Sequence, residues 1–154
     1  MTIVEFIEAR LAEDEQIAQS AIDPERPGTH WCWEDGERNP LQPGVEVEGL
    51  DTRAISLRTV EEYPTRHVGP LPAFILCQVE ARQQGGLWHI ARHDPARVLR
   101  QCAALRWTLD LIKGNWEDNL GSGDRASEAD RVNDLAMIAA IWSGHPDFRQ
   151  EWAA

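Results

Sequence analysis

Apolar residues recur at intervals of three and four near the N-terminus: Ile3, Phe6, Ile7 and Leu11, with Ile17 further on. That spacing predicts one face of an α-helix over residues 2–19. Thr2 stands where an N-cap belongs, and Glu5 three positions later completes a capping box. Glu8, Glu13, Asp14 and Glu15 are expected to line the outer face. "DPERPG" (23–28) ends the helix with two prolines and a glycine. The period then shortens to two. "THWCWE" alternates, with Trp31 and Trp33 on one face and Cys32 on the other. "VEVEG" (45–49) and "RAISLRTV" (53–60) read as further strands, the second with Ile55, Leu57 and Thr59 sharing a face. "PTRHVGPLP" reads as a proline-rich loop, and "AFILCQVEA" as a strong, central strand.

From residue 86 the helical period returns. "GGLWHIARH" fits about two turns. Asp94 is then a good N-cap, and Pro95 sits at the first helical position, where its missing N–H costs nothing. Val98, Cys102, Leu105, Leu109 and Ile112 form one apolar stripe, in a helix expected to end near Gly114. "NWEDNLGSGDRAS" reads as a polar loop. Residues 126–142 form another helix with Val132, Leu135, Ala136, Ile138, Ala139 and Trp142 apolar, and Gly144 as its C′ residue. These elements predict an α+β fold: a small antiparallel sheet of roughly three to five strands packed against an N-terminal helix and C-terminal helices. A length of 154 residues fits a single domain. Its expected parts are an acidic helix at 1–22, a β region at 29–81 and a helical region at 86–154.

Charge changes the picture. The chain carries a formal −11, unevenly distributed. Residues 1–70 hold six Arg and no Lys against fifteen acids, a net −9. Within 82–113 the sign reverses: Arg82, Arg92, Arg97, Arg100, Arg106 and Lys113 stand against Asp94 and Asp110. Direct nucleic-acid binding is not expected of so acidic a protein, because that affinity comes from clustered cations. The three cysteines, Cys32, Cys77 and Cys102, are too few and too dispersed for a disulfide framework and read as small buried hydrophobes. The first sixteen residues carry acids where a secretory signal needs a basic start, and no apolar stretch approaches the ~20 residues of a membrane span. A reduced, cytoplasmic protein is the expectation.

"HIARHDPARVLRQ" in the middle and "HPDFRQEW" at the C-terminus, preceded by the acidic helix "VEFIEARLAEDEQ", resemble an uncharacterised family of small proteins from actinobacteria and their phages. The resemblance implies kinship and no mechanism, since that family carries no assigned activity. Some of its members hold paired cysteines in the loop before the last helix. The corresponding loop here, 114–128, has none, which removes a zinc argument the family would otherwise supply.

Candidate chemistry is sparse. His89 and His93 are four apart and share a helix face, as zinc-binding imidazoles do. The zincin pattern places Glu directly after the first His, and Ile90 stands there instead. No nucleophile elbow, P-loop or dinucleotide fingerprint is present. "LGSGD" (120–124) is glycine-rich but follows no strand. Neither catalytic residues nor a metal or cofactor site are assigned. Of seven tryptophans most should fill the core, but Trp107 lies off the apolar stripe and Trp116 in the expected polar loop. His89, Arg92, His93, Trp107 and Trp116 are therefore the candidate interaction surface.

The expected function is a non-enzymatic cytosolic accessory or binding protein. Charged contacts with a protein partner, or with a second copy, are the leading mechanism. The alternatives are a metal-dependent hydrolase or metal-binding protein using His89 and His93, and an acidic nucleic-acid mimic that inhibits a DNA-binding enzyme.

Overall fold

The computed structural model describes residues 1–22, 24–25, 28–35, 37, 39–42, 54–65, 69–72, 75–80, 89–119 and 125–153. The fold is α+β. Its elements are α1 (Ile3–Ser20), β1 (Trp31–Glu34), β2 (Ala54–Thr59), β3 (Glu62–Thr65), β4 (Gly69–Pro72), β5 (Ile75–Glu80), α2 (Pro95–Asn119) and α3 (Arg125–Ala139). Two 3₁₀ turns follow, Ala140–Trp142 and Gln150–Trp152. The chain divides into two compact units, one of Met1–Gln16 with Arg100–Ala154, the other of Ile17–Leu99. The expected strand at 45–49, the "LGSGD" loop and Trp88 lie outside the described residues.

The first unit is helical. Its α1 starts with the expected capping box: the Glu5 N–H donates to Thr2 Oγ1 at 3.2 Å, and the Thr2 N–H donates to Glu5 Oε2 at 2.7 Å. Those bonds from Thr2 hold the Glu5 carboxyl below its ordinary range. Phe6, Ile7 and Leu11 are fully buried. Ile17, however, is 60% exposed and Ala18 takes the next buried place, because a 3.6-residue repeat carries the stripe from Leu11 to position 18. Cys102 and Leu109 of α2 and Leu135, Ala136, Ile138 and Ala139 of α3 are also buried. Val132, expected on the apolar face of α3, is exposed.

The C-terminal segment is docked. Phe6 meets Trp152 with ring centroids 5.0 Å apart, and Phe148 at 6.0 Å edge-to-face. Phe148 and Trp152 pack edge-to-face on each other. Gly144 does not take the left-handed conformation of a C′ glycine; the chain leaves α3 through the 3₁₀ turn Ala140–Trp142 instead.

The second unit carries the sheets. Three strands run in the order β1-β2-β5, antiparallel throughout, so β2 and not β5 is central. Ile55 to Thr59 are all buried. Thus both faces of β2 are covered, and the second face holds an ion pair: Arg58 Nε lies 2.6 Å from Glu34 Oε2 on β1. A buried cation next to its carboxylate avoids the desolvation cost that either would bear alone. Gly28 is fixed by close approach, since a Cβ there would stand 2.4 Å from Thr59 Cγ2.

The proline-rich stretch expected as a loop is instead a two-stranded hairpin, β3 with β4, in the register Glu62↔Pro72, Tyr63↔Leu71, Pro64↔Pro70 and Thr65↔Gly69. Pro64, Pro70 and Pro72 share one parity in this ladder. Their missing N–H groups therefore fall at the non-bonding positions, where a ribbon tolerates proline. Gly69 supplies the positive φ of 80° at the return.

Both units contribute to α2. Its start follows expectation: Asp94 Oδ1 accepts the Arg97 N–H at 2.7 Å, the Asp94 carbonyl accepts the Val98 N–H at 3.0 Å, and Pro95 is buried. Its end does not. The helix passes Gly114 and runs to Asn119, so Trp116 belongs to α2 and not to a loop. An interior glycine costs a helix only about 1 kcal/mol relative to alanine, and five helix-compatible residues follow before the chain turns.

Candidate functional site

The histidine pair comes from a short helical turn at 89–92. The His93 backbone N–H donates to the His89 carbonyl at 3.2 Å, and His93 Nδ1 lies 2.8 Å from the same oxygen. The two imidazole rings stack with centroids 4.2 Å apart, tilted by 40°. Both residues are exposed. His93 Nδ1 is thus committed to the backbone, which closes the turn immediately before the Asp94 cap. Among the described residues, no group of three or more His, Cys, Asp or Glu side chains gathers as a metal cage would.

Two of the three thiols have described side chains. Cys32 and Cys102 are free, and burial pushes both above the ordinary thiol range.

Of the acids expected on the outer face of α1, Glu13 is exposed, while Glu8, Asp14 and Glu15 are partly covered by other elements of the first unit. Arg106 of α2 donates through Nε and Nη2 to the two oxygens of Glu15, each at 2.8 Å. One turn-pair further along, Lys113 Nζ donates to Glu8 Oε1 at 2.9 Å. Residue numbers rise on α1 as they fall on α2, so these helices run antiparallel within the first unit. Asp14 accepts the Trp142 indole N–H at 2.9 Å, and Glu13 accepts from Arg10 at 2.6 Å. Arg10 also contacts His145, and His145 packs edge-on to Phe6. Hydrogen bonding to Arg106 holds the Glu15 carboxyl below its usual range and raises Arg106 in turn.

On the far side of α2 the picture reverses. Trp107 is 65% exposed and Leu111 43% exposed. Ala103 and Ala104 precede them, exposed as well, and Arg100 and Asp110 flank the group. At 100° per residue these six side chains occupy an arc of about 120°. The buried stripe of α2 was legible from its spacing; this second apolar stripe was not read as one. Neither Arg100 nor Asp110 has a charged partner among the described residues. The Trp116 side chain lies outside the described residues, so of the two singled-out tryptophans Trp107 alone has a described environment.

Arg92 borders a cavity of about 310 Å³ in the second unit. Trp31, Cys32 and Trp33 of β1, Leu41 and Ala91 also line it. Sequence reasoning singled out Arg92 but not the tryptophans with it. They come from three separated stretches, and only the hairpin contacts bring them together: the Leu41 N–H donates to the Trp33 carbonyl at 2.8 Å, and Glu34 pairs with Pro40.

No helix among the described residues is long and apolar enough to cross a membrane. An α+β protein with an exposed apolar stripe on α2 is the class that this geometry defines. The chain belongs to a family of unknown function, DUF6221, whose model matches residues 1–154. No curated protein and no solved structure matches it.

Proposed function

We propose that this chain is a non-enzymatic, cytoplasmic binding protein that works through protein–protein contact, and that the contact is with a second copy through the Trp107 face of α2. The observation that carries this reading is the 65% exposure of Trp107 beside Leu111, on a face of α2 turned away from the Arg106–Glu15 and Lys113–Glu8 pairs. Exposed tryptophan is a frequent anchor of interfaces.

A second copy suits the face because the face is complementary to itself. Set two α2 helices antiparallel with the two-fold axis level with Leu105. Each Trp107 then meets the small side chains Ala103 and Ala104 of the other copy, a knob entering a hole. Each Arg100 stands level with Asp110 of the other copy, so the two unpaired charges find opposite partners at the rim. Such an isologous contact closes on itself and stops at a dimer. Charge thus guides the contact, while the tryptophan supplies most of its strength. The kinship implied by the His-Asp-Pro and His-Pro-Asp stretches, with small actinobacterial and phage proteins, fits an accessory role of this kind.

Sedimentation equilibrium tests the reading. The intact chain should behave as a dimer and Trp107→Ala as a monomer with unchanged circular dichroism. A monomeric wild type, or a Trp107→Ala dimer of equal strength, would overturn it.

A further inference from the structure

The second unit holds a site of a different kind, beside β1. The ladder sets which backbone groups face that edge. The His30 carbonyl accepts from Val60 on the β2 side, whereas the Trp33 carbonyl accepts from Leu41 and the Asp35 N–H donates to Asn39. Alternation therefore turns the backbone of residues 31, 33 and 35 away from β2. The hairpin arm satisfies Trp33 and Asp35. Trp31, one step further, turns its backbone to the same side as Trp33 and Asp35 and borders the cavity. Its indole Nε1 is also buried with no acceptor. An orphaned buried donor carries a cost that a bound acceptor would remove.

The charge of the cavity points the same way. Arg92 is exposed, and its guanidinium has no carboxylate among the described residues. Neighbouring Arg97 reaches only the Arg92 carbonyl, at 3.4 Å. Other cations do have carboxylate partners: Arg58 has Glu34, Arg106 has Glu15 and Lys113 has Glu8. Among the described residues that line the cavity, none is acidic. Gln42 is the other polar side chain among the described lining residues, the rest being mainly apolar, and the volume of about 310 Å³ is at the lower end of the range of small-ligand pockets.

From these donors and walls we infer that the cavity between β1, the 40–42 arm and the 91–92 turn binds a carboxylate with a compact apolar or aromatic tail. The tail lies against Trp31 and Trp33. The carboxylate takes the Arg92 guanidinium, whose planar fork matches its two oxygens. The carboxylate belongs either to a free organic acid or to the C-terminus of a peptide.

Isothermal titration calorimetry with 3-phenylpropanoate, its uncharged amide, and an acetylated tripeptide ending in phenylalanine with a free carboxylate tests this. The acid should bind at least about tenfold more tightly than the amide, one charge-assisted bond's worth of affinity. Arg92→Gln should erase that preference, and Trp31→Phe, which keeps a ring but removes the N–H, should weaken the acid severalfold. A tripeptide tighter than the free acid identifies a chain terminus as the source; a tripeptide equal or weaker identifies a small acid. Equal binding of acid and amide, or no binding of any probe at about 5 mM, would overturn the inference. Arg92 is exposed, so its replacement leaves the fold intact, and an unchanged melting curve checks that.

Discussion

Glu15 and Arg106, ninety-one residues apart, meet side-on through two parallel hydrogen bonds of 2.8 Å. This pair sets the register of α1 on α2 in the first unit, with Glu8–Lys113 two turns away. Part of the opposite charge of these segments is thus spent within the first unit, while Arg100 and Asp110 stay exposed beside Trp107 and Leu111.

The pair is partly exposed, with side chains 28% and 38% accessible, so water screens it. A double-mutant cycle with Glu15→Gln and Arg106→Gln should give a coupling of about 0.5–1 kcal/mol by urea denaturation. Arg106→Lys should recover only part of it, because lysine cannot make the two parallel bonds. A coupling of zero would show that the register is set by apolar packing alone.

Asp94→Ala removes the oxygen that accepts the Arg97 N–H. The loss should be about 0.5–2 kcal/mol of stability, with Asp94→Asn close to wild type. Thermal melts of the two variants check this. Binding at the Arg92 cavity should be unchanged in both.

Glu61 gives a pH dependence. Burial opposes its charge, but bonds from His30 Nδ1 at 2.8 Å and from the Thr29 N–H and hydroxyl outweigh that and bring its pKa down to about 2. A carboxyl whose folded pKa is depressed stabilises the fold fully above its unfolded value, near 4.5. That contribution is lost as the pH falls from there toward about 2. Glu61→Gln should therefore be less stable than wild type at neutral pH, and the gap should close on acidification through that window. A gap independent of pH would mean that the Glu61 charge is not what ties 29–30 to β2.

Trp152 packs on Phe6 at 5.0 Å although it is only half-buried. Trp152→Ala should cost about 2 kcal/mol, below the ~3–5 of a fully buried tryptophan. Shortening the chain to Gly144 should cost more, since Phe148 and His145 leave with it. Equal melting temperatures would show that the segment contributes nothing to the core.

The parts of this fold that were legible in the sequence are local. Thr2 with Glu5 and Asp94 with Arg97 are three apart, and a cap needs nothing more distant. The buried stripe of α2 and the alternation of β1 and β2 are likewise written in short periods. The β3–β4 hairpin was hidden because its prolines read as breakers, and only a partner strand of matching parity makes them harmless. The exposed stripe through Ala103, Ala104, Trp107 and Leu111 was hidden because alanine is ambiguous: it suits a core, a surface or a contact. The carboxylate cavity could not be read at all. It needs Trp31, Leu41 and Arg92 in one place, and no spacing in the chain encodes that meeting.

The central claim is the antiparallel pairing of α2 with a second copy, and charge reversal measures it most directly. Arg100→Glu and Asp110→Arg each place like charges opposite one another, whereas the double variant restores opposite signs. Sedimentation equilibrium at low salt should show each single variant weakened by roughly tenfold or more and the double variant returned to wild-type affinity. Single variants that dimerise as well as wild type, or a double variant no better than the singles, would contradict the pairing.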